Sequence, residues 1–285
     1  VRTTDTIAAF RKARAGFTSI GLVPTMGYLH DGHLSLVRRA KAECGAAAVS
    51  IFVNPTQFNR SDDLAAYPRD LDRDLVMLAD AGADLVFTPA VETIYPPGFD
   101  AHVLIGGVSE GLEGGARPGH FNGVATVVLK LLNIAQPTRA YFGQKDAQQA
   151  AVIKKMVRDL DVNCEIAIAP TVREADGLAM SSRNVRLTPV ERAAAPVLHR
   201  ALKAGAALIC GGERDAQTVR AAIRALIAAE PLARIDYVSA ADAATLKELD
   251  RIDDPALLSL AVFFGDVRLI DNMEAEPPCP KPPHP

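Results

Sequence analysis

Short apolar runs and longer segments with a three-to-four-residue apolar repeat alternate along the first two-thirds of the chain. Ser19–Val23, Ala47–Val53, Leu85–Thr88, Arg139–Phe142 and Cys164–Ala169 read as buried strands. Between them, helices are predicted from about Gly32 through Lys41, over Arg69–Ala81 with Leu71, Leu75 and Leu78 in register, over Val124–Leu132 despite its valines, and over Ala147–Leu160. Repeated β-α units of this kind predict an α/β fold, a Rossmann-like doubly wound parallel sheet with helices on both faces. Such sheets bind ligands outside the carboxyl ends of their strands.

The pattern changes after Asn184. Pro189–Cys210 and Asp215–Glu230 read as Ala-rich helices, and strand-like runs follow at Ile235–Ser239, Leu257–Phe264 and Val267–Ile270. The expected organisation is a Rossmann-like domain over 1–174, a smaller α+β C-terminal domain over 175–273, and a tail over 274–285. Six prolines in the final nine positions predict that this tail is disordered.

Composition narrows the function classes. The 285 residues are 49% hydrophobic and 23% charged, with a net charge of −3, so no basic surface for nucleic acid is expected and anionic substrates must meet local positive charge. No apolar run approaches a membrane span and no signal-peptide pattern opens the chain, so no membrane partner is expected. Cys44, Cys164, Cys210 and Cys279 are scattered without metal or redox spacing, which suits the reduced thiols of a cytoplasmic protein.

The chemistry concentrates just after predicted strands, at Pro24–His33, Asn54–Phe58, Gly143–Gln149 and Val172–Asn184. Pro24–His33 reads as a Gly-containing turn into a helix start, with His30-Asp31-Gly32-His33 placing two imidazoles three residues apart on one face. A helix N-terminus offers free N–H groups and a positive dipole end to phosphate, and His30 and His33 would add donors to phosphoryl oxygens. The same pair could bind a metal, but no third ligand is evident nearby. Lys145 can reach the cleft as a point charge for phosphate, whereas Asp146 has an ordinary reading as the N-cap of the next helix. Gln57 and Gln149 are neutral bidentate hydrogen-bonders. Arg117 could meet an acidic substrate or pair with Glu113, and His120 has no settled role.

Together these segments resemble the pantoate–β-alanine ligase (pantothenate synthetase) family within the His-x-Gly-His nucleotidyltransferases. The resemblance runs through Val23–Gly27, His30–His33, Ser50–Phe58, Tyr67–Arg69, Arg117–Phe121, Phe142–Asp146, Gln148-Gln149 and Arg173–Asn184. Tyr28 stands where a small residue is usual and Gln144 where glutamate is common; neither side chain is expected to do chemistry, though Tyr28 could alter packing around its loop.

The resemblance implies that pantoate attacks the α-phosphorus of ATP to give pantoyl adenylate and pyrophosphate. The amine of β-alanine then displaces AMP to give pantothenate. It implies catalytic roles for His30, His33 and Lys145. Nucleotide contacts are implied at Met26, Gly27, Gly32, Gly143, Lys145, Asp146 and Val172, and at the phosphate loop Met180, Ser181, Ser182 and Arg183. Gln57 and Gln149 are implied on D-pantoate, with Asn54, Tyr67 and Arg117 near the acid and amine. Mg²⁺ is expected to arrive with ATP, without a dedicated protein metal site, and a homodimer is expected. Two rivals differ in class. An adenylyltransferase would share the histidines and the loop but leave Gln57 and Gln149 unexplained, and a non-catalytic nucleotide sensor could keep the fold alone. A tRNA-charging role is disfavoured by the acidic charge balance.

Overall fold

The computed structural model describes residues 1–59 and 61–278, which form two compact units. The first holds Val1–Val172 with Met180–Ser182; the second holds Arg173–Ala179 and the described chain from Arg183 onward. The expected boundary at 174/175 is therefore not a single crossing. Arg173 and Ala179 close a small antiparallel hairpin, in which Glu174 N–H donates to Leu178 O. The returning chain rejoins the first unit where Met180 N–H donates to Val172 O at 3.0 Å.

The first unit is built on six parallel strands: β1 (Arg2–Thr4), β2 (Gly21–Thr25), β3 (Ala47–Ile51), β4 (Leu85–Phe87), β5 (Arg139–Gly143) and β6 (Glu165–Ala169). Their order is β1-β4-β3-β2-β5-β6. Alternate strand residues bury on opposite faces. Leu22, Ala48, Phe87 and Phe142 join a core with Phe10, Val128, Val152 and Met156, which come from helices Ile7–Arg14, His120–Ala135 and Ala147–Asp159. Val23, Val49, Val86 and Tyr141 join a second core with Leu34, Val37 and Leu78, from helices Asp31–Cys44 and Leu71–Asp80. The sheet is thus doubly wound. From β2 the chain runs to β3 on one side, while β5 lies on the other, so the sheet reverses between β2 and β5. The crevice outside their carboxyl ends is the expected ligand position.

β1 and the helix Ile7–Arg14 are additions to the sequence-derived order. β1 has three residues and, among the described residues, pairs only with β4, too short a strand to declare a periodicity.

The second unit has three antiparallel strands, β7 (Ala233–Asp242), β8 (Ala256–Phe264) and β9 (Val267–Ala275), with β8 central. Leu258, Leu260 and Val262 of β8 share a core with Leu198, Leu202, Val219 and Ile223 from helices Val197–Cys210 and Ala216–Ala228. β9 runs past the expected start of the tail: Glu274 and Ala275 pair with Leu257 and Ala256, so the ladder orders them. Of the expected tail, residues 279–285, including Cys279, lie outside the described residues.

Pro189–Cys210 is two helices rather than one, Pro189–Ala194 and Val197–Cys210. Pro196 separates them because it has no N–H to continue the helical ladder. By length and composition alone this stretch is apolar enough to cross a membrane, contrary to the expectation from the sequence. Val197, Leu198, Ala201, Leu202 and Ile209 are buried in the second unit's core.

Candidate active site

β2 ends at Thr25 and the chain reverses through Gly27 (φ +80°) and Tyr28 (φ +51°) before the helix Asp31–Cys44. His30 is the N-cap of that helix rather than a residue within it, and His33 is its third residue. The two side chains cap reciprocally: Gly32 N–H donates to His30 Nδ1 at 3.2 Å, and His30 N–H donates to His33 Nδ1 at 3.4 Å. Both Nδ1 atoms are acceptors, so the proton of each neutral ring sits on Nε2. The ring centroids are 4.1 Å apart. Gly32 is required by this packing, since a Cβ there would stand 2.8 Å from His30 Cε1.

Burial pushes the His30 pKa down to about 4, with the Lys145 charge adding to the effect. Burial, then His30 and Lys145, hold His33 well below the ordinary imidazole range. At neutral pH the site therefore presents two uncharged rings with Nε2–H donors, beside the side chains of Lys145 and Arg73. Two neutral donors at a helix N-terminus can bind phosphate oxygens without taking up a proton.

The turn is held by Asp74, which the sequence did not single out. Its carboxylate, 1% exposed, accepts Tyr28 N–H and Leu29 N–H, each at 2.7 Å. Arg73 donates to Leu29 O at 3.0 Å, and its guanidinium carbon lies 5.0 Å from the Tyr28 ring centroid. Tyr28, which could alter packing around its loop, makes a cation–π contact with Arg73. Only a three-dimensional view links Asp74 to Tyr28, 46 residues away; in the sequence Asp70, Asp72 and Asp74 form one undifferentiated acidic run.

β5 ends at Gly143 and enters a short helical turn, Gln144–Asp146. Lys145 Nζ lies 3.6 Å from Asp146 Oδ1, with side chains 19% and 45% exposed. Asp146 occupies the cap position of helix Ala147–Asp159, but its side chain makes no cap hydrogen bond. The ordinary capping role is absent, and the carboxylate faces Lys145 instead.

After β3, Asn54 is buried and fully engaged. Its Nδ2 donates to Gln57 Oε1 at 3.1 Å and to Gly123 O at 3.2 Å, while its Oδ1 accepts from Thr56 and from Tyr95 OH at 2.8 Å. Asn54 holds the loop's shape. Gln57 Nε2 donates to Met26 Sδ at 3.1 Å, so the Gln57 loop abuts the signature turn. Arg117 is 3.8 Å from Glu113 and also donates to Gln57 O at 3.1 Å. The ion-pair alternative for Arg117 is therefore present in the structure, together with a hold on Gln57. His120, whose pKa burial and then Arg117 depress to about 4, faces the same carbonyl at 2.8 Å. Tyr67 is buried edge-on to Phe58, with centroids 5.8 Å apart. Gln149 is half-buried on helix Ala147–Asp159, and its neighbour Gln148 is buried and fully bonded to the 108–113 loop.

Of the expected phosphate loop, Met180, Ser181 and Ser182 belong to the first unit and Arg183 to the second. Ser182 Oγ donates to Tyr28 O at 3.0 Å, and Met180 Cβ lies 3.9 Å from where a Gly32 Cβ would stand. These contacts and the Val172 carbonyl bonded to Met180 N–H bring Val172 and Met180–Ser182 onto the signature turn.

The pantoate-beta-alanine ligase family model matches residues 1–274. The chain is 63% identical over 268 residues to a pantothenate synthetase of Chloroflexus aurantiacus, covering 94% of this chain and 95% of that protein. The crystal structure of pantothenate synthetase from Thermus thermophilus superposes with a TM-score of 0.93 at 47% identity, covering 97% of this chain and 100% of that one. A pantoate-beta-alanine ligase from Francisella tularensis, solved with beta-gamma ATP and beta-alanine, gives 0.79 at 36% identity over 96% of this chain and 97% of its own. The family match takes in the parallel sheet, the capped histidine pair and the glutamine loop alike, and the chain belongs to the pantoate-beta-alanine ligase family.

Proposed function

We infer that the crevice between β2 and β5 carries out the ATP-dependent condensation of D-pantoate with β-alanine. The observation that carries the reading is the contact of Gln57 Nε2 with Met26 Sδ. It sets a neutral hydrogen-bonding amide for a hydroxy acid directly against the turn that presents the phosphate donors.

In the first half-reaction a pantoate carboxylate oxygen bonds to the α-phosphorus as the bond from that phosphorus to the β-phosphate bridge breaks, releasing pyrophosphate. The carboxylate is ionised at pH 7, so alignment and charge neutralisation are needed rather than a strong base. His30 and His33 donate from Nε2–H to phosphoryl oxygens. Lys145 supplies positive charge, and Ser181, Ser182 and Arg183 grip the triphosphate. Met26, Gly27, Gly32, Gly143, Asp146 and Val172 line the nucleotide. Gln57 and Gln149 orient the pantoate hydroxyls and carboxylate. In the second half-reaction the β-alanine amine attacks the acyl carbon and the bond to AMP breaks. Asn54, Tyr67 and Arg117 shape that end of the crevice, Asn54 and Arg117 through the Gln57 loop.

Among the described residues no group of three or more His, Cys, Asp or Glu side chains could hold a metal ion, and the donors at the turn are uncharged imidazoles and a lysine. Such donors suit phosphate oxygens, so Mg²⁺ would arrive held by the triphosphate and water and would neutralise charge on the departing pyrophosphate. A cytoplasmic homodimer is the proposed state, two-fold pairing being the commonest arrangement; light scattering giving a monomer mass would refute it. The function itself is tested by pyrophosphate release from Mg-ATP and D-pantoate, with and without β-alanine. Release without amine, followed by pantothenate on adding β-alanine, is the expected result. No pantoate-dependent release under either condition would overturn the reading.

A further inference from the structure

The turn that presents His30 and His33 is strained and open behind. Gly27 and Tyr28 are successive left-handed residues, and a non-glycine residue held there relaxes unless its surroundings fix it. Packing anchors Leu29, which is buried in the core, but leaves space beside Gly27 and Tyr28. A cavity of about 330 Å³ lies behind the turn, lined by Met26, Gly27, Tyr28, Phe52, Asp74 and Val91 among others. The polar groups of the turn are instead tied one by one. Gly27 N–H donates to Thr25 Oγ1, Tyr28 O accepts from Ser182 Oγ, and Leu29 O accepts from Arg73. The two remaining amides, Tyr28 N–H and Leu29 N–H, both end on the buried Asp74 carboxylate.

We propose that Asp74 is a positioning residue for adenylate formation: its two oxygens hold the Tyr28 and Leu29 amides, and through them aim the His30 and His33 Nε2–H donors at the triphosphate. The proposal rests on the reading of those histidines as phosphate donors. Without Asp74 the turn can sink into the cavity, moving His30, whose N–H is the next amide along the chain. An asparagine at this position keeps the shape but sets an amide NH₂ against a backbone N–H, so one of the two bonds is lost.

The test is Asp74→Asn, with His33→Ala as the reference for the histidine reading. Thermal melting establishes folding. Pantoate-dependent pyrophosphate release reads the first half-reaction, and aminolysis of supplied pantoyl adenylate reads the second. Misplacement of about 1 Å can cost about a hundredfold, so adenylation by folded Asp74→Asn is expected to slow about 10- to 100-fold. The pantoate KM should stay within about twofold and aminolysis should be unchanged, because the tied amides are those of Tyr28 and Leu29, which lead into His30 and His33, and not those of the Gln57 loop. Wild-type adenylation, or a loss shared by both half-reactions with a raised pantoate KM, would overturn the proposal. If His33→Ala adenylates normally, the histidine reading fails first, and that failure is distinguishable. If Asp74→Asn does not fold, Arg73→Gln takes its place. The Arg73 side chain is 43% exposed and sits 3.6 Å from Asp74, and its loss should slow adenylation about fivefold with the same split. A wild-type rate there would also overturn the proposal.

Discussion

His120 holds Gln57 by its backbone: Nδ1 of the buried ring lies 2.8 Å from the Gln57 carbonyl oxygen. A carbonyl can only accept, so His120 donates from Nδ1 and receives the Arg117 N–H at Nε2, 3.3 Å away. Arg117 donates to the same carbonyl. The glutamine assigned to pantoate is thus fixed from the main-chain side, leaving its side chain to Met26, Asn54 and substrate. His120→Ala is expected to raise the pantoate KM about five- to tenfold, in line with a lost hydrogen bond worth about 1 kcal/mol. Steady-state kinetics with pantoate varied would check this, and an unchanged KM would contradict it.

His33→Ala and Lys145→Ala should each slow pyrophosphate release about a hundredfold or more, the scale expected for removing a donor or charge aimed at a developing phosphate charge. Melting curves should show both variants folded. Retained release in folded protein would remove these residues from the mechanism.

Adjacent glutamines should behave oppositely. Gln148 accepts Glu113 N–H at 2.9 Å and donates to Val108 O and Gly111 O at 2.9 and 2.8 Å. Gln148→Ala leaves these buried groups unpaired and should cost about 1–3 kcal/mol of stability. Gln149→Ala should leave stability within about 0.5 kcal/mol and raise the pantoate KM. Denaturant titration together with pantoate kinetics on the two variants checks the contrast, and equal stability losses would contradict it.

The depressed histidine values carry a sign. Above about pH 6.5 His30 is neutral in both folded and unfolded chains. As pH falls, the unfolded chain takes up the proton first, so stability declines until the folded ring protonates near pH 4. His120 acts in the same window and direction. NMR of the imidazole Cε1–H signals, assigned with a His30→Gln variant, should give a His30 midpoint near 4. A midpoint above about pH 6, close to the ordinary imidazole value, would mean that the ring is not buried as a neutral donor.

The fold was legible where local pattern and packing agree. The short runs at β2, β3 and β5 each precede a motif, and Gly27 marks the turn that separates the strand from the helix, whereas Gly32 lies in the helix's first turn. Elements set by tertiary context were not legible. β1 is an edge strand of three residues, and Pro196 breaks a segment whose composition reads as one helix. The site shows the same division. His30, His33, Lys145 and Gln57 stood out because their residue types suit phosphate and a hydroxy acid. Asp74 did not, because its meaning lies in two amides 45 and 46 positions away. Asp146 misled in the other direction: a carboxylate before a helix reads as a cap, whereas here it makes no cap bond and pairs with Lys145.

Oxygen-isotope transfer during a single turnover tests adenylate formation most directly. With both pantoate carboxylate oxygens labelled as ¹⁸O, attack of that carboxylate on the α-phosphorus leaves one labelled oxygen in the AMP released when β-alanine takes the acyl group. Mass spectrometry of the nucleotide should therefore show AMP heavier by one ¹⁸O, and pantothenate retaining the other label at its new amide. Unlabelled AMP, or label appearing in pyrophosphate or inorganic phosphate, would contradict attack at the α-phosphorus in the β2–β5 crevice.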